Sequence, residues 1–131
     1  MRDIFEMQAE FLKAGEVEFP TKDLDAICNA GALIDEEYME YRQEPLFAQG
    51  KVKNINELKE CIDLMYVCAQ YMNQNVGPEI AGKMFDAVHA NNMDKFPGGK
   101  CIKSESGKIL KPEGFNKEAW KPEFLELVKD L

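Results

Sequence analysis

The sequence lacks long hydrophobic runs, and this absence argues against a membrane-spanning helix. None of its apolar stretches approaches the length of about 18 residues that such a helix requires. The segment from Met1 to Glu6 also lacks the basic stretch followed by an apolar one that marks a secretory signal. We therefore predict a cytoplasmic protein with no membrane partner.

Positive charge is also scarce. The chain has 16 lysine and arginine residues against 24 aspartate and glutamate residues, which gives a formal net charge of −8. Such a protein gains nothing from simple charge attraction to nucleic acids or anionic membranes. We predict no nucleic-acid partner, and the lysines that bind a phosphorylated substrate must be gathered locally.

Soft metal ligands are few or badly spaced. Cys28, Cys61, Cys68 and Cys101 include no pair with the C-x₂₋₄-C spacing of a zinc site. We expect free thiols that are buried as small apolar groups. His89 is the only histidine, and we expect it to be structural or interfacial and not a ligand.

Hydrophobic residues recur with helical periodicity along most of the chain. Thr21 is predicted to cap the second helix, Pro45 and Gly50 are expected to end it, and Asn54 or Asn56 is expected to begin the third. The predicted helices cover residues 1–14, Lys22 up to Pro45, 54 to about 75, Pro78 to about Phe96, and about Pro122 to Leu131.

These elements predict an all-α fold. Residues 97–119 are rich in glycine, lysine, proline and serine and are expected to be irregular, with room for a short hairpin. We predict one four-helix-bundle-like domain over residues 1–131, with this irregular C-terminal segment and a short last helix.

Two carboxylate clusters dominate the candidate functional residues. Glu36-Glu37-x-x-Glu40 falls on the second predicted helix, and Glu60-x-x-Asp63 falls on the third. Residues three apart share a helix face, and two helices joined by a short connection pack antiparallel. The pattern predicts that Glu37, Glu40, Glu60 and Asp63 gather around one or two divalent ions. Oxygen ligands favour Mg²⁺, with Mn²⁺ as the other candidate.

Two other interpretations compete with this metal site. A Glu-Glu-x-x-Glu string by itself is usually a solvated helix face, although Glu37 falls at the edge of the apolar stripe, between Ala30 and Leu33. A di-iron carboxylate bundle needs Glu-x-x-His on two helices. At that spacing His89 has only Asp86 as its partner.

Cationic and amide side chains follow in the C-terminal half. Asn92 and Lys95 continue the apolar face of the fourth helix and suit a polar ligand such as a phosphate or a sugar. Lys108 and Lys111 lie beside glycines in the irregular segment, where lysine is a good point-charge partner for phosphate. Each feature alone is equally compatible with an ordinary exposed surface.

Three features together resemble a known superfamily over about residues 1–128. They are the two acidic strings, the string Val88-His89-Ala90-Asn91-Asn92-Met93-Asp94-Lys95, and Gly107-Lys108-Ile109-Leu110-Lys111-Pro112 followed by Pro122. The superfamily is that of the all-α nucleoside triphosphate pyrophosphohydrolases, in its MazG-like and phosphoribosyl-ATP pyrophosphohydrolase-like branch. Asn91 and Asp94 stand where that branch usually has small residues.

The resemblance implies hydrolysis of a nucleoside or deoxynucleoside triphosphate to the monophosphate and pyrophosphate. It implies that Glu37, Glu40, Glu60 and Asp63 hold the metal and that Glu36 orients or deprotonates the attacking water. Asn92 and Lys95 would contact the nucleotide, and a homodimer or a dimer of dimers is expected.

Two functions of other classes stay open. A nucleotide-binding or sensing module would keep the site with little catalysis, and a plain acidic bundle would only assemble with partners.

Overall fold

In a computed structural model of the chain, residues 2–44 and 54–131 are described. They contain five α-helices and no β-strand, which confirms the all-α prediction. The helices are α1 (Ile4–Ala14), α2 (Leu24–Gln43), α3 (Ile55–Val76), α4 (Pro78–Met93) and α5 (Lys121–Val128), with a 3₁₀ turn at Pro97–Gly99. Pro45 and Gly50 lie outside the described residues. Within these two ranges no helix combines the length and the apolar composition needed to cross a bilayer.

The helix starts follow capping chemistry, with one correction. Asp23, and not Thr21, caps α2: its side chain accepts hydrogen bonds from the backbone N–H groups of Asp25 and Ala26. The Thr21 hydroxyl instead accepts from the Asp23 N–H, at 3.1 Å. A carboxylate also interacts favourably with the positive end of the helix dipole, which favours aspartate at the cap. Asn54 caps α3, so the first of the two predicted starts is the right one.

The helix α3 packs between α1 and α2. On one side Phe5 and Ala69 share a core with Ala81, and the Phe11 ring meets the Tyr66 ring edge to face. On the other side α2 lies antiparallel to α3. A Cβ added at Gly31 would lie 3.6 Å from the Tyr71 ring, so a small residue permits this approach.

A buried polar network ties α1 to α3. Asn73 is fully buried, and its Nδ2 donates at 2.9 Å both to the Phe5 carbonyl and to Gln8 Oε1. The Gln8 Nε2 in turn donates to Gln70 Oε1 at 3.4 Å, and Gln70 donates to Gln74. Buried polar groups are tolerated when they pair, and they become costly when a partner is removed.

We expect Asn73→Ala to lower the free energy of unfolding by about 2–3 kcal/mol, because it leaves the buried Gln8 amide oxygen without its donor and removes a second hydrogen bond, to the Phe5 carbonyl. Asn75→Ala is the matched control. Its Nδ2 donates only within its own helix, to the Tyr71 carbonyl, so we expect less than about 1 kcal/mol. Urea denaturation followed by circular dichroism measures both, and equal losses would contradict the role given to the network.

The four cysteines are free, as expected, but the prediction that they are buried is wrong. All four residues are exposed. Partial burial raises the pKa of the Cys68 thiol. The helical periodicity placed Cys61 and Cys68 on an apolar face, and that face of α3 is itself largely open to solvent.

Residues Met1–Ala81 and Gly82–Leu131 form two compact units. In the second unit a short hairpin is present: Lys103 and Ile109 form an isolated antiparallel bridge, and Gly107 adopts a positive φ of 87° in its turn. The irregular segment and the short last helix are therefore confirmed. That residues 1–131 act as one domain stays a prediction.

Candidate functional site

The antiparallel packing of α2 and α3 brings the two acidic clusters together in the first unit. One carboxylate oxygen from each of Glu37, Glu60 and Asp63 lies within 4.8 Å of the others. Residues 60 and 63 are three apart on α3 and share a face, and Glu37 meets them from α2. Further along the same hairpin, Asn54 Nδ2 donates to Glu44 Oε2 at 3.4 Å. The predicted convergence of two acidic helix faces is confirmed.

The electrostatics of this cluster are unfavourable to negative charge. The pKa of the Glu37 carboxyl is raised by partial burial first, then by a hydrogen bond with Glu40 and by the charges of Glu40, Asp63 and Glu60. Burial also raises the pKa of the Glu60 carboxyl, against an opposing effect of Lys59. Both carboxylates lose hydration and face like charges, so a cation would relieve them.

Two carboxylate oxygens in the cluster have no hydrogen-bond donor. The Oε2 atoms of Glu37 and Glu60 are buried, and neither has a partner among the described residues. Buried polar atoms in folded proteins nearly always have a partner. Oxygens in this state fit direct coordination of a hard divalent cation, and all of the donors are of the type that Mg²⁺ and Mn²⁺ prefer.

The other two predicted acids differ in their placement. Glu40 lies on α2 one turn after Glu37, where it is within interaction range of both Glu37 and Glu60. Glu36 is exposed and stands outside the group of three converging oxygens. Three of the four residues predicted to hold the ion thus converge, and Glu40 interacts with two of them. Their role as metal ligands and the role of Glu36 both stay predictions.

Two residues near the cluster were missed in the sequence. Lys59 Nζ donates to Asp63 Oδ2 at 2.5 Å, so a lysine already neutralises one of the acids. Its spacing of four from Asp63 is the signal that predicts this ion pair. Glu57, three residues before Glu60, has a buried Oε2 with no partner among the described atoms. Glu57 precedes Glu60 by three residues, as Glu60 precedes Asp63, and this spacing predicts that all three share a face of α3.

The second unit contains a cleft of about 230 Å³ that holds three of the four predicted substrate contacts. Asn92, Lys95 and Lys111 line it. Lys108 is exposed in the hairpin and is not among the lining residues. The cleft adds side chains that were not predicted: Val88, Asn91, Phe115, Lys117 and Trp120.

Asn91 explains how distant parts of the chain meet at this cleft. It is buried, its Nδ2 donates to the Asn116 carbonyl at 2.8 Å, and its Oδ1 accepts from the Trp120 N–H at 3.3 Å. These bonds pin residues 116–120 against α4. A small residue at position 91 would have no side-chain amide to make these bonds, so asparagine at this position has a structural reason.

A broader groove lies beside the cleft in the same unit. It has a volume of about 600 Å³, and its lining includes Asn91 and Trp120 together with the carboxylates of Asp86, Asp94 and Glu123. The Trp120 side chain therefore borders both a lysine-lined cleft and an acidic groove.

No protein-family model matches the chain, and no curated protein matches it.

Proposed function

We propose that this chain is a divalent-metal-dependent pyrophosphohydrolase, which hydrolyses a nucleoside or deoxynucleoside triphosphate to the monophosphate and pyrophosphate. The observation that carries the proposal is the convergence of Glu37, Glu60 and Asp63, whose oxygens lie within 4.8 Å of one another. The buried, unpartnered oxygens of Glu37 and Glu60 support a ligand role. The family resemblance supplies the reaction.

In the proposed mechanism Glu37, Glu40, Glu60 and Asp63 hold Mg²⁺ or Mn²⁺. The ion, when bound, offsets negative charge on the phosphates and activates water as a nucleophile. Glu36 is exposed beside Glu37, which leaves it free to accept a proton from the attacking water as a general base. Lys95, Lys108 and Lys111 bind phosphate oxygens, and the Asn92 amide donates a hydrogen bond to the nucleotide.

A panel of nucleoside and deoxynucleoside triphosphates tests the reaction. We expect pyrophosphate release from at least one of them with Mg²⁺ or Mn²⁺, and a loss of at least about 100-fold when EDTA removes the metal, because the ion supplies several kcal/mol of transition-state stabilisation. Coupled detection of pyrophosphate, with orthophosphate measured in parallel, separates this cleavage from removal of the terminal phosphate. The proposal fails if no nucleotide is hydrolysed with either metal.

A nucleotide-binding module with little catalysis is the second candidate. One observation favours it: Glu36, the proposed base, lies outside the converging carboxylates. A binding module predicts that nucleotides raise the melting temperature without turnover, because a ligand that binds only the folded state stabilises it.

We also propose that the chain self-associates into a dimer or a dimer of dimers. The supporting observation is an exposed apolar seam on α3, formed by Ile55, Leu58, Ile62 and Met65, whose exposed fractions lie between 48% and 75%. The spacing of three, four and three residues is that of a helix–helix seam. A second copy presents the same seam, so the surface is self-complementary about a twofold axis.

A further inference from the structure

Two lysine side chains converge on one aromatic ring in the cleft of the second unit. The Nζ atoms of Lys95 and Lys111 lie 5.8 Å and 6.0 Å from the centre of the Phe115 ring. Lys117 lines the same cleft, together with the amide of Asn92. Both distances are within the range of about 6 Å over which a ring attracts an ammonium group. The ring therefore helps to hold like charges near each other.

These ammonium groups have no acidic counterpart. No carboxylate of the described chain lines the cleft, and Lys95, Lys111 and Lys117 form no salt bridge with an acid in residues 2–44 or 54–131. Elsewhere Lys59 and Lys129 each pair with a neighbouring acid. In a chain with an excess of acids, three unpaired lysines in one cleft point to an anion from outside.

The charge is also divided unevenly along the chain. Residues 82–131 carry nine basic and eight acidic side chains, whereas residues 1–81 carry seven basic and sixteen acidic ones. The second unit is thus close to neutral and slightly basic, although the whole chain has a net charge of −8. An anion meets much less repulsion from this unit than the overall charge suggests.

We infer that the cleft is a metal-independent site for the phosphate chain of a polyphosphate ligand, with Lys117 as a phosphate contact and Phe115 as the residue that positions Lys95 and Lys111. This inference deepens the proposed function. The identification of the polyphosphate ligand as the nucleotide substrate rests on that proposed function. Lys117 and Phe115 are additions to the residues predicted from the sequence.

The size and chemistry of the cleft favour a phosphate chain over a whole nucleotide. Its volume of about 230 Å³ is smaller than the roughly 300–1,000 Å³ typical of small-molecule pockets. Ammonium groups are point charges with several donors each, which suit phosphate oxygens in many directions. The Phe115 ring is already engaged by two ammonium groups, which favours a role in holding the lysines over one in stacking against a base.

Calorimetric titration of the full chain with inorganic triphosphate, in EDTA, tests the site without metal. We expect measurable binding that weakens as salt rises. Lys117→Met is expected to weaken it by roughly 10-fold, since it removes one charge-assisted hydrogen bond. Lys100→Met is the matched control, because Lys100 is exposed in the same unit but does not line the cleft, and its affinity should change by less than about twofold.

The positioning role of Phe115 needs a pair of variants. Phe115→Leu keeps an apolar side chain but removes the ring face, and we expect a loss of roughly 5- to 10-fold in triphosphate affinity. Phe115→Tyr keeps the ring and should restore most of the affinity. Equal affinity in the two variants, with circular dichroism showing both folded, would mean that Phe115 has only a packing role and would overturn its positioning role.

The outcomes separate this inference from the proposed function. No binding of triphosphate in EDTA, or no loss in Lys117→Met, overturns the inference even if nucleotides are hydrolysed. Binding without any hydrolysis supports the inference while the proposed function fails. Two further titrations identify the source of the phosphate groups. A nucleoside triphosphate should displace the inorganic chain, and orthophosphate binding as tightly as triphosphate would overturn the assignment to a phosphate chain.

Discussion

Replacing Glu37 with glutamine is expected to reduce metal-dependent pyrophosphate release by roughly 10²- to 10³-fold, because the neutral amide is a poorer ligand for the ion that offsets transition-state charge. Glu37 is the one acid that α2 contributes to the three converging oxygens. Steady-state rates with Mg²⁺ and with Mn²⁺ measure the effect. An unchanged rate with both ions would contradict the assignment of the metal site.

The same variant should have the opposite effect on stability without metal. Burial first, and then the neighbouring acids, raise the pKa of the Glu37 carboxyl in the folded chain, so the folded state binds the proton more tightly than the unfolded state does. The stability that this protonated carboxyl contributes is therefore fully present below its ordinary pKa of 4.5. It is lost as the pH rises through the raised pKa of the folded state. At neutral pH in EDTA, Glu37→Gln removes the repulsion, and we expect a higher melting temperature than that of the wild type.

Metal reverses this order. An ion that binds only the folded wild-type protein adds about 2.7 kcal/mol to its stability at a concentration of about 100 times Kd, and Glu37→Gln should lose most of that gain. Glu36→Gln is the control from the next position in the chain. It should keep the metal-induced stabilisation and lose turnover if Glu36 is the base. Loss of metal stabilisation in both variants would instead make Glu36 a ligand.

The convergence of the acidic residues was predictable because its signals are local. A spacing of three residues places two acids on one helix face, and sequential helices joined by a short connection pack antiparallel. The convergence of Glu37, Glu60 and Asp63 could therefore be predicted from the sequence. The Lys59–Asp63 ion pair follows from a spacing of four by the same rule.

The lysine cleft was only partly predictable, because its members meet through tertiary contacts. Asn92 is in the last turn of α4, and Lys95 follows two residues after that helix ends. Phe115 and Lys117 come from a later segment, whose residues 116–120 are hydrogen-bonded to Asn91 on the same helix. No periodicity links an amide on a helix to a backbone carbonyl 25 residues later. Helical periodicity likewise identified the apolar face of α3, yet it does not distinguish a face that is buried within the chain from one that is open.

That open face is not the face of α3 that carries the acidic cluster. At 3.6 residues per turn, Ile62 is about 160° around α3 from Glu60 and about 100° from Asp63. Toward the C-terminal end of α3 the same stripe continues with Ala69 and Met72, which pack with the core residue Phe5 of α1. The seam is therefore the part of a continuous apolar stripe that lies beyond this core, and a second α3 offers a surface of matching length and chemistry.

We expect Ile62→Lys to convert a self-associated protein to monomers. Each copy would lose the burial of an isoleucine, which is worth about 1.5–3 kcal/mol, and would have to desolvate a charged lysine. Both effects occur twice in a twofold interface, once in each copy. The dissociation constant should therefore rise by at least about 10³-fold. Light scattering coupled to gel filtration measures the mass. Met39→Lys is the control, since Met39 is similarly exposed but lies on α2. Dissociation by Met39→Lys and not by Ile62→Lys would place the interface elsewhere, and a monomeric wild type would rule out self-association.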